Sequence, residues 1–300
     1  MFKKTLKKNL LILLTLFMLN LSAVSQNNYE FFGAIKLNGN DKTLITYRLV
    51  FFYYNGKIKG YSVTDLDGSH ETKNLIEGTY DKKEKLFSFK EKDILYTKSK
   101  FDESSFCFVN ISGKIKLVEN TSKVEGNFKG LYKNNTKCID GTVTLIGSNK
   151  IYNLANKVNK KIQKSKKVDA KTKEQVNPIA ILDSLKINKL SSNQNLNVFW
   201  NSKKFKMDIF DSEKEDGDII NLYHNNVLIL SKYKVLKAKK SIDIILDSST
   251  NEFVIEALND GLIAPNTAKI ILYDDKRTIE LLSKLNKNEK ASITIIKKEP

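Results

Sequence analysis

From residue 29 to residue 147, apolar and polar side chains alternate in short runs, the period-two signature of strands with one buried face. The alternation is clearest in "GKIKLV" and "GTVTLIG". In "TLITYRLVFFYYNGKIKGYSVTDL" two β-rich runs meet at Asn55-Gly56, the strongest short signal for a hairpin. The pattern repeats in "IEGTYDKKEKLFSFKE", and further turns are signalled at Ser112-Gly113, at Asn120 to Ser122 and at Asn134-Asn135. This spacing predicts about eight to ten antiparallel strands in a β-meander, closed as a barrel or left as a strongly curved sheet. In "VFFYY", alternation puts Phe51 and Tyr53 on one face and Phe52 and Tyr54 on the other. Core packing is the simpler use of such a run; lining an apolar pocket inside a barrel is the other.

The period then changes. Ile151, Leu154, Ala155, Val158 and Ile162 recur at helical spacing, and Lys157, Lys160, Lys161, Lys164, Lys167 and Lys171 form a separate stripe. Pro178 ends this helix or bends it before "IAILDSLKINKL", which has the makings of a second short helix. One reading is a connector whose apolar face packs on a neighbouring domain. The other is an interfacial helix making peripheral membrane contact through its lysines, although Tyr152 is its sole aromatic residue. From residue 196 the chain returns to short β runs such as "LNVFW", "FKMDIF", "VLILSKYKVL" and "ASITII". Their number and rhythm suit an immunoglobulin-like β-sandwich without an internal cysteine pair, with Trp200 in its core. The expected fold is mainly β: a meander domain over 26–148, a basic helical connector over 149–195 and a β-sandwich over 196–300.

The N-terminus adds a location. Lys3, Lys4, Lys7 and Lys8 precede an apolar stretch from Leu10 to Leu21, and Ala23-Val24-Ser25 supplies small residues at a cleavage site. Residues 1–25 therefore read as a secretory signal peptide, too short in its apolar run to serve as a bilayer span. In an oxidising compartment the two cysteines, Cys107 and Cys138, read most simply as one disulfide; two buried free thiols are the alternative. The formal net charge of +17 is unevenly placed. Residues 148–195 carry 11 basic and 3 acidic side chains, whereas residues 26–147 carry 19 and 15. A basic chain raises nucleic acid as a partner, but export and the lack of any recognition motif argue against it.

One acidic segment stands out against this background. "MDIFDSEKEDGDIINLYHNN" sets Asp208, Asp211, Glu213, Glu215, Asp216 and Asp218 around a single Lys214. Aligning Gly217 with the glycine of an EF-hand puts Lys214 and Ser212 where ligands belong and Tyr223 at the terminal position, so an EF-hand is excluded. A loop at one end of a sandwich can instead bring Asp211, Glu215, Asp216 and Asp218 together, with Asn259, Asp260 or the "APNTA" loop adding oxygens. A calcium ion would offset their repulsion. A solvated acidic turn with Asp216-Gly217 as punctuation is the plainer alternative. Catalysis has little support: His70 and His224 lie in "GSHETK" and "YHNN", with no nucleophile motif or zinc spacing beside them, and no phosphate loop occurs.

"DSEKEDGDIINLYHNN" followed by "FVIEALNDGLIAPNTAKI" resembles a pattern of secreted Bacteroidota-type envelope proteins, and "GSHETKNLIEGTYD" and "TKSKFDESSFCFVN" are similar to their β-rich front half. The resemblance implies a location and an architecture without an activity. The sandwich also resembles calcium-dependent carbohydrate-binding modules at the level of fold. The function expected is thus an exported, non-catalytic envelope protein with a binding or structural role, using calcium to bind glycan through the C-terminal sandwich. A small apolar ligand or lipid in the N-terminal β domain is the alternative, and a glycan-active hydrolase the third reading. The expected partner is a glycan or another envelope component.

Overall fold

The computed structural model describes residues 27–39, 43–118 and 121–298. The expected signal peptide lies outside the described residues. Eight strands come first: β1 (Asn27–Leu37), β2 (Leu44–Tyr54), β3 (Lys57–Thr64), β4 (Thr72–Asp81), β5 (Leu86–Thr97), β6 (Phe108–Lys114), β7 (Lys123–Leu131) and β8 (Gly141–Gly147). Consecutive strands pair antiparallel, β1 also pairs with β8, and β5 also pairs with β6. The ring is closed, so the meander is a barrel and leaves no free edge of its own.

Alternation decides what fills it. Tyr47, Leu49 and Phe51 of β2 point inward and meet Phe31, Phe87, Phe89 and Leu145 from other strands in one core. Tyr53 packs against that core, whereas Tyr54 is exposed, so the "VFFYY" run is used for packing. The aromatic rings are close, Tyr29 lying 5.2 Å and Phe87 5.5 Å from Phe51. The walls need glycine where strands bend together: a Cβ at Gly60 would lie 2.1 Å from the Val50 carbonyl oxygen.

Cys107 and Cys138 form a disulfide that ties the chain before β6 to the chain before β8, with Cα atoms 6.1 Å apart and a sequence separation of 31. Cross-linking a loop of that length restricts the unfolded chain by about 3–4 kcal/mol. Replacing both cysteines by serine should lower stability by that amount in urea titrations. A double variant as stable as the parent would mean that the unfolded chain gains little from the lost constraint.

The chain then leaves the barrel through three helices: α1 (Ser148–Lys164), α2 (Ala170–Gln175) and α3 (Pro178–Ser184). Pro178 opens α3 rather than ending α1, as its fixed φ favours the first helical position. The break comes earlier, at Ser165, and α2 restarts where the Asp169 side chain accepts the Thr172 N–H. Ser148 and Ala155 are the buried residues of α1, which lies against α3, β1 and β8. Leu154 and Val158 stay about half exposed beside the lysines.

Ten strands follow: β9 (Lys189–Ser191), β10 (Asn195–Trp200), β11 (Lys204–Phe210), β12 (Ile219–His224), β13 (Val227–Lys234), β14 (Lys240–Ile245), β15 (Thr250–Ala257), β16 (Asn266–Tyr273), β17 (Thr278–Leu285) and β18 (Lys290–Lys297). Two sheets face one apolar core, with Val198, Trp200, Phe253 and Ile293 from one side and Phe205, Met207, Ile270 and Leu281 from the other. Two features depart from a plain antiparallel reading. Strand β9, inside the stretch expected to be connector, runs parallel to β17, and β10 runs parallel to β18. In addition β10 pairs with β5, so one thirteen-stranded sheet continues from the barrel wall into the C-terminal unit.

Candidate cation site and cavities

Strand β11 ends at Phe210 and β12 begins at Ile219, so the acidic residues occupy the loop between them. Backbone bonds pin this loop on two sides. The Asp211 N–H donates to the Leu236 carbonyl (2.8 Å), and the Leu262 N–H donates to the Asp216 carbonyl (3.0 Å). Gly217 has φ +94°, a conformation side chains rarely tolerate, which lets the chain turn between Asp216 and Asp218.

Each predicted ligand residue then has a definite place. Asp211 Oδ1 accepts the Glu213 N–H at 2.8 Å, and Asp216 Oδ2 accepts the Ile263 N–H at 2.8 Å. Asp218 Oδ2 accepts the N–H of Thr267 at 2.8 Å. Glu215 turns to the other side, where it accepts the Lys237 N–H. Asn259 acts as a clasp: its Oδ1 accepts the Ile219 N–H (2.8 Å) and the Asn266 amide (3.2 Å), and its Nδ2 donates to the Gly217 carbonyl (2.8 Å). With two donors already on its oxygen, Asn259 is the clasp of the loop rather than a free oxygen ligand. Asp260 accepts the Lys287 N–H and holds the neighbouring turn. Asp208 sits within β11, where it accepts from Ser241 at 2.6 Å and pairs with Lys239 at 3.4 Å.

Three oxygens in this end of the fold are buried and have no hydrogen-bond donor among the described residues: Asp211 Oδ2, Asp218 Oδ1 and Asn266 Oδ1. Asp211 and Asp218 are 3% and 1% exposed, so bulk solvent does not reach them. Gly261, at φ +62°, leaves room where the carboxylates gather; a Cβ there would lie 2.6 Å from Asp218 Oδ1 and 2.7 Å from Asp216 Oδ1. Burial first, then the charges of Asp216 and Asp211, push the Asp218 carboxyl up to about 6 against the bonds from Thr267. Among the described residues no group of three His, Cys, Asp or Glu side chains is spaced to hold a metal ion. The Asp216 and Asp218 carboxylates meet beside Gly261, and Asp211 and Asn266 each leave a buried oxygen without a donor in the same end of the fold. Asn266 is reached in sequence only as part of the "APNTA" loop.

The barrel has its own recess, about 260 Å³, at one end of the packed interior. Ile35, Ile45, Phe106 and Phe108 give it apolar walls, and Glu91 and Asn74 line it as polar groups. Glu91 is buried and accepts three bonds: Tyr47 Oη at 2.7 Å, Ser62 Oγ at 2.5 Å and the Val109 N–H at 2.7 Å. Burial raises its pKa, and those hydrogen bonds pull it back only in part. Asn74 Oδ1 has no donor. The histidines have structural surroundings: His224 stacks flat on Phe253 at 4.4 Å, and the His70 N–H donates to Asp65.

No family model, no curated protein and no solved structure matches this chain.

Proposed function

We propose that the chain is an exported, non-catalytic binding protein of the cell envelope, whose C-terminal unit carries a calcium ion at the acidic loop and uses that end to bind glycan. The observation that carries this reading is the pair of buried, donorless carboxylate oxygens on Asp211 and Asp218. A buried carboxylate oxygen with no donor costs free energy, and a hard cation supplies what the fold does not. We read the two facing sheets as an immunoglobulin-like sandwich, with this loop cluster at one end. Calcium held by few protein oxygens has open positions that sugar hydroxyls can fill, and Leu262 and Ile263, 89% and 56% exposed on the adjoining loop, offer an apolar surface for a sugar ring.

The test is a thermal melt of the full chain after chelation, with and without millimolar calcium. At a hundredfold excess over Kd the ion should add about 2.7 kcal/mol, seen as a higher melting temperature. Asp216→Asn with Asp218→Asn should abolish the rise while preserving the chelated fold. An unchanged melt leaves the loop an acidic turn held by its own hydrogen bonds, and glycan-array signals indifferent to chelation would separate sugar binding from the ion.

A second reading rests on the barrel recess, whose apolar walls end at Asn74 and Glu91. It accommodates the tip of a small apolar ligand with a polar head rather than a whole lipid chain, because the deeper interior is filled with aromatic side chains. Native mass spectrometry of the purified protein tests it through co-purifying mass.

A further inference from the structure

The barrel wall, the end of α3 and strand β17 enclose a cavity of about 270 Å³ at the seam between the two units. This is distinct from the acidic loop and from the barrel recess, and clefts between units are favoured places for ligands. Its volume is that of roughly nine waters, enough for a small organic acid or a monosaccharide.

Most polar groups around it are already spoken for. Arg48 donates through Nε and Nη2 to Glu30, at 2.9 and 2.7 Å, and Lys186 pairs with Glu30 at 3.2 Å. Glu71 accepts from Tyr96 Oη at 2.8 Å and from the Asp67 N–H at 2.9 Å, and Lys98 lies 3.4 Å away. Glu280 pairs with Lys269 at 2.6 Å. Two side chains differ. The Lys73 ammonium sits 3.8 Å from the centroid of the Tyr61 ring and forms no ion pair among the described residues. Asn188 is 6% exposed, lines the cavity, and leaves both its amide oxygen and its amide nitrogen without a partner.

A buried amide without partners is unfavourable, and it shares its cavity with a partly buried ammonium that Glu280 and Glu71 attract without forming an ion pair with it. The ligand that satisfies both has an anionic group for Lys73 and a neighbouring group that both donates and accepts for Asn188. A hydroxyl does the second, since it gives its proton to Oδ1 and takes one from Nδ2. We propose that the seam cavity binds a small hydroxylated carboxylate, with its carboxylate on Lys73, a hydroxyl on Asn188 and its carbon frame against Tyr61. Burial first and then Arg48 push the Lys73 ammonium down to about 8, against the attraction of Glu280 and Glu71.

Calorimetry and thermal melts of the full chain in chelator, which silences the acidic loop, test this with glucuronate, gluconate and lactate beside glucose and phosphate. At least one hydroxy acid should bind and raise the melting temperature, with glucose and phosphate inert. Lys73→Met should weaken that binding more than tenfold, Asn188→Leu about tenfold, and Lys73→Arg should retain part of it. Lys73→Met should melt no lower than the parent without ligand, since Lys73 makes no ion pair among the described residues for it to break. No binding by any of the acids overturns the proposal, and so does equal binding by glucose or phosphate. Binding that survives in Lys73→Met overturns it as well.

Discussion

Glu91→Leu is expected to destabilise the barrel by about 3–5 kcal/mol, because it strands three buried donors that each cost about 1–3 kcal/mol when unpaired. The donors are Tyr47 Oη, Ser62 Oγ and the Val109 N–H, which reach the carboxylate from three different strands or strand neighbourhoods. Against a typical total of about 5–15 kcal/mol, the loss leaves little in reserve. Urea unfolding followed by circular dichroism reads it directly. Adding Tyr47→Phe and Ser62→Ala to Glu91→Leu removes two of the stranded donors and should recover part of the loss, although the Tyr47 ring must keep its place. A single variant within 1 kcal/mol of the parent, on the scale of one ordinary hydrogen bond, would show that water entering from the recess replaces the carboxylate.

The same group sets a pH dependence. Glu91 holds its proton to higher pH in the folded barrel than the ordinary value of 4.5, because burial penalises its charge. Between those two values the unfolded chain has released the proton and the native chain still binds it. Stability therefore falls as pH rises through that window, and the penalty is absent below it. Glu91→Leu lacks this contribution, so subtracting its stability profile from that of the parent isolates the slope. The donors lower the pKa and burial raises it; the sign of the measured slope decides which is larger.

The barrel was legible because each of its strands has one wet face. Alternation in "GKIKLV" and "GTVTLIG" and the Asn55-Gly56 turn are local signals that survive folding unchanged. Closure was not legible, since it depends on β1 pairing with both β2 and β8, the latter across more than a hundred residues, and nothing local marks that second partner. The parallel pairing of β10 with β18 is hidden for the same reason, as nearly a hundred residues lie between the two. At the acidic loop, composition pointed to the right residues but not to their use. Glu215 and Asp216 are neighbours in sequence, yet Gly217 and the backbone contacts turn one towards Lys237 and the other towards Gly261. Asn259 looks in sequence like an oxygen donor and proves to be the clasp that holds Gly217 and Ile219. Asn188 and Lys73 carry no pattern at all; only the seam between two units brings them to one cavity.

Trp200→Ala should cost about 3–5 kcal/mol, the range for emptying a large aromatic from a packed core. Trp200 is fully buried, its ring lies 5.2 Å from Phe205, and the Arg277 guanidinium stands 5.3 Å from it while donating to the Phe199 carbonyl. The loss should not stay within the C-terminal unit. Trp200 ends β10, the strand that carries the sheet from β18 to β5 through the pairs Asn197–Thr97 and Val198–Tyr96. Asn197 Nδ2 also donates to the Ser99 carbonyl at 3.0 Å, Lys189 pairs with Asp67 at 2.7 Å, and Lys298 bridges Asp93 and Glu103. These contacts tie the stability of the barrel to that of its neighbour, so the parent should unfold in one cooperative calorimetric transition. Trp200→Ala should shift that whole transition downward. Two transitions in the variant, with the upper one unmoved, would show that the seam transmits little and that the barrel stands on its own core.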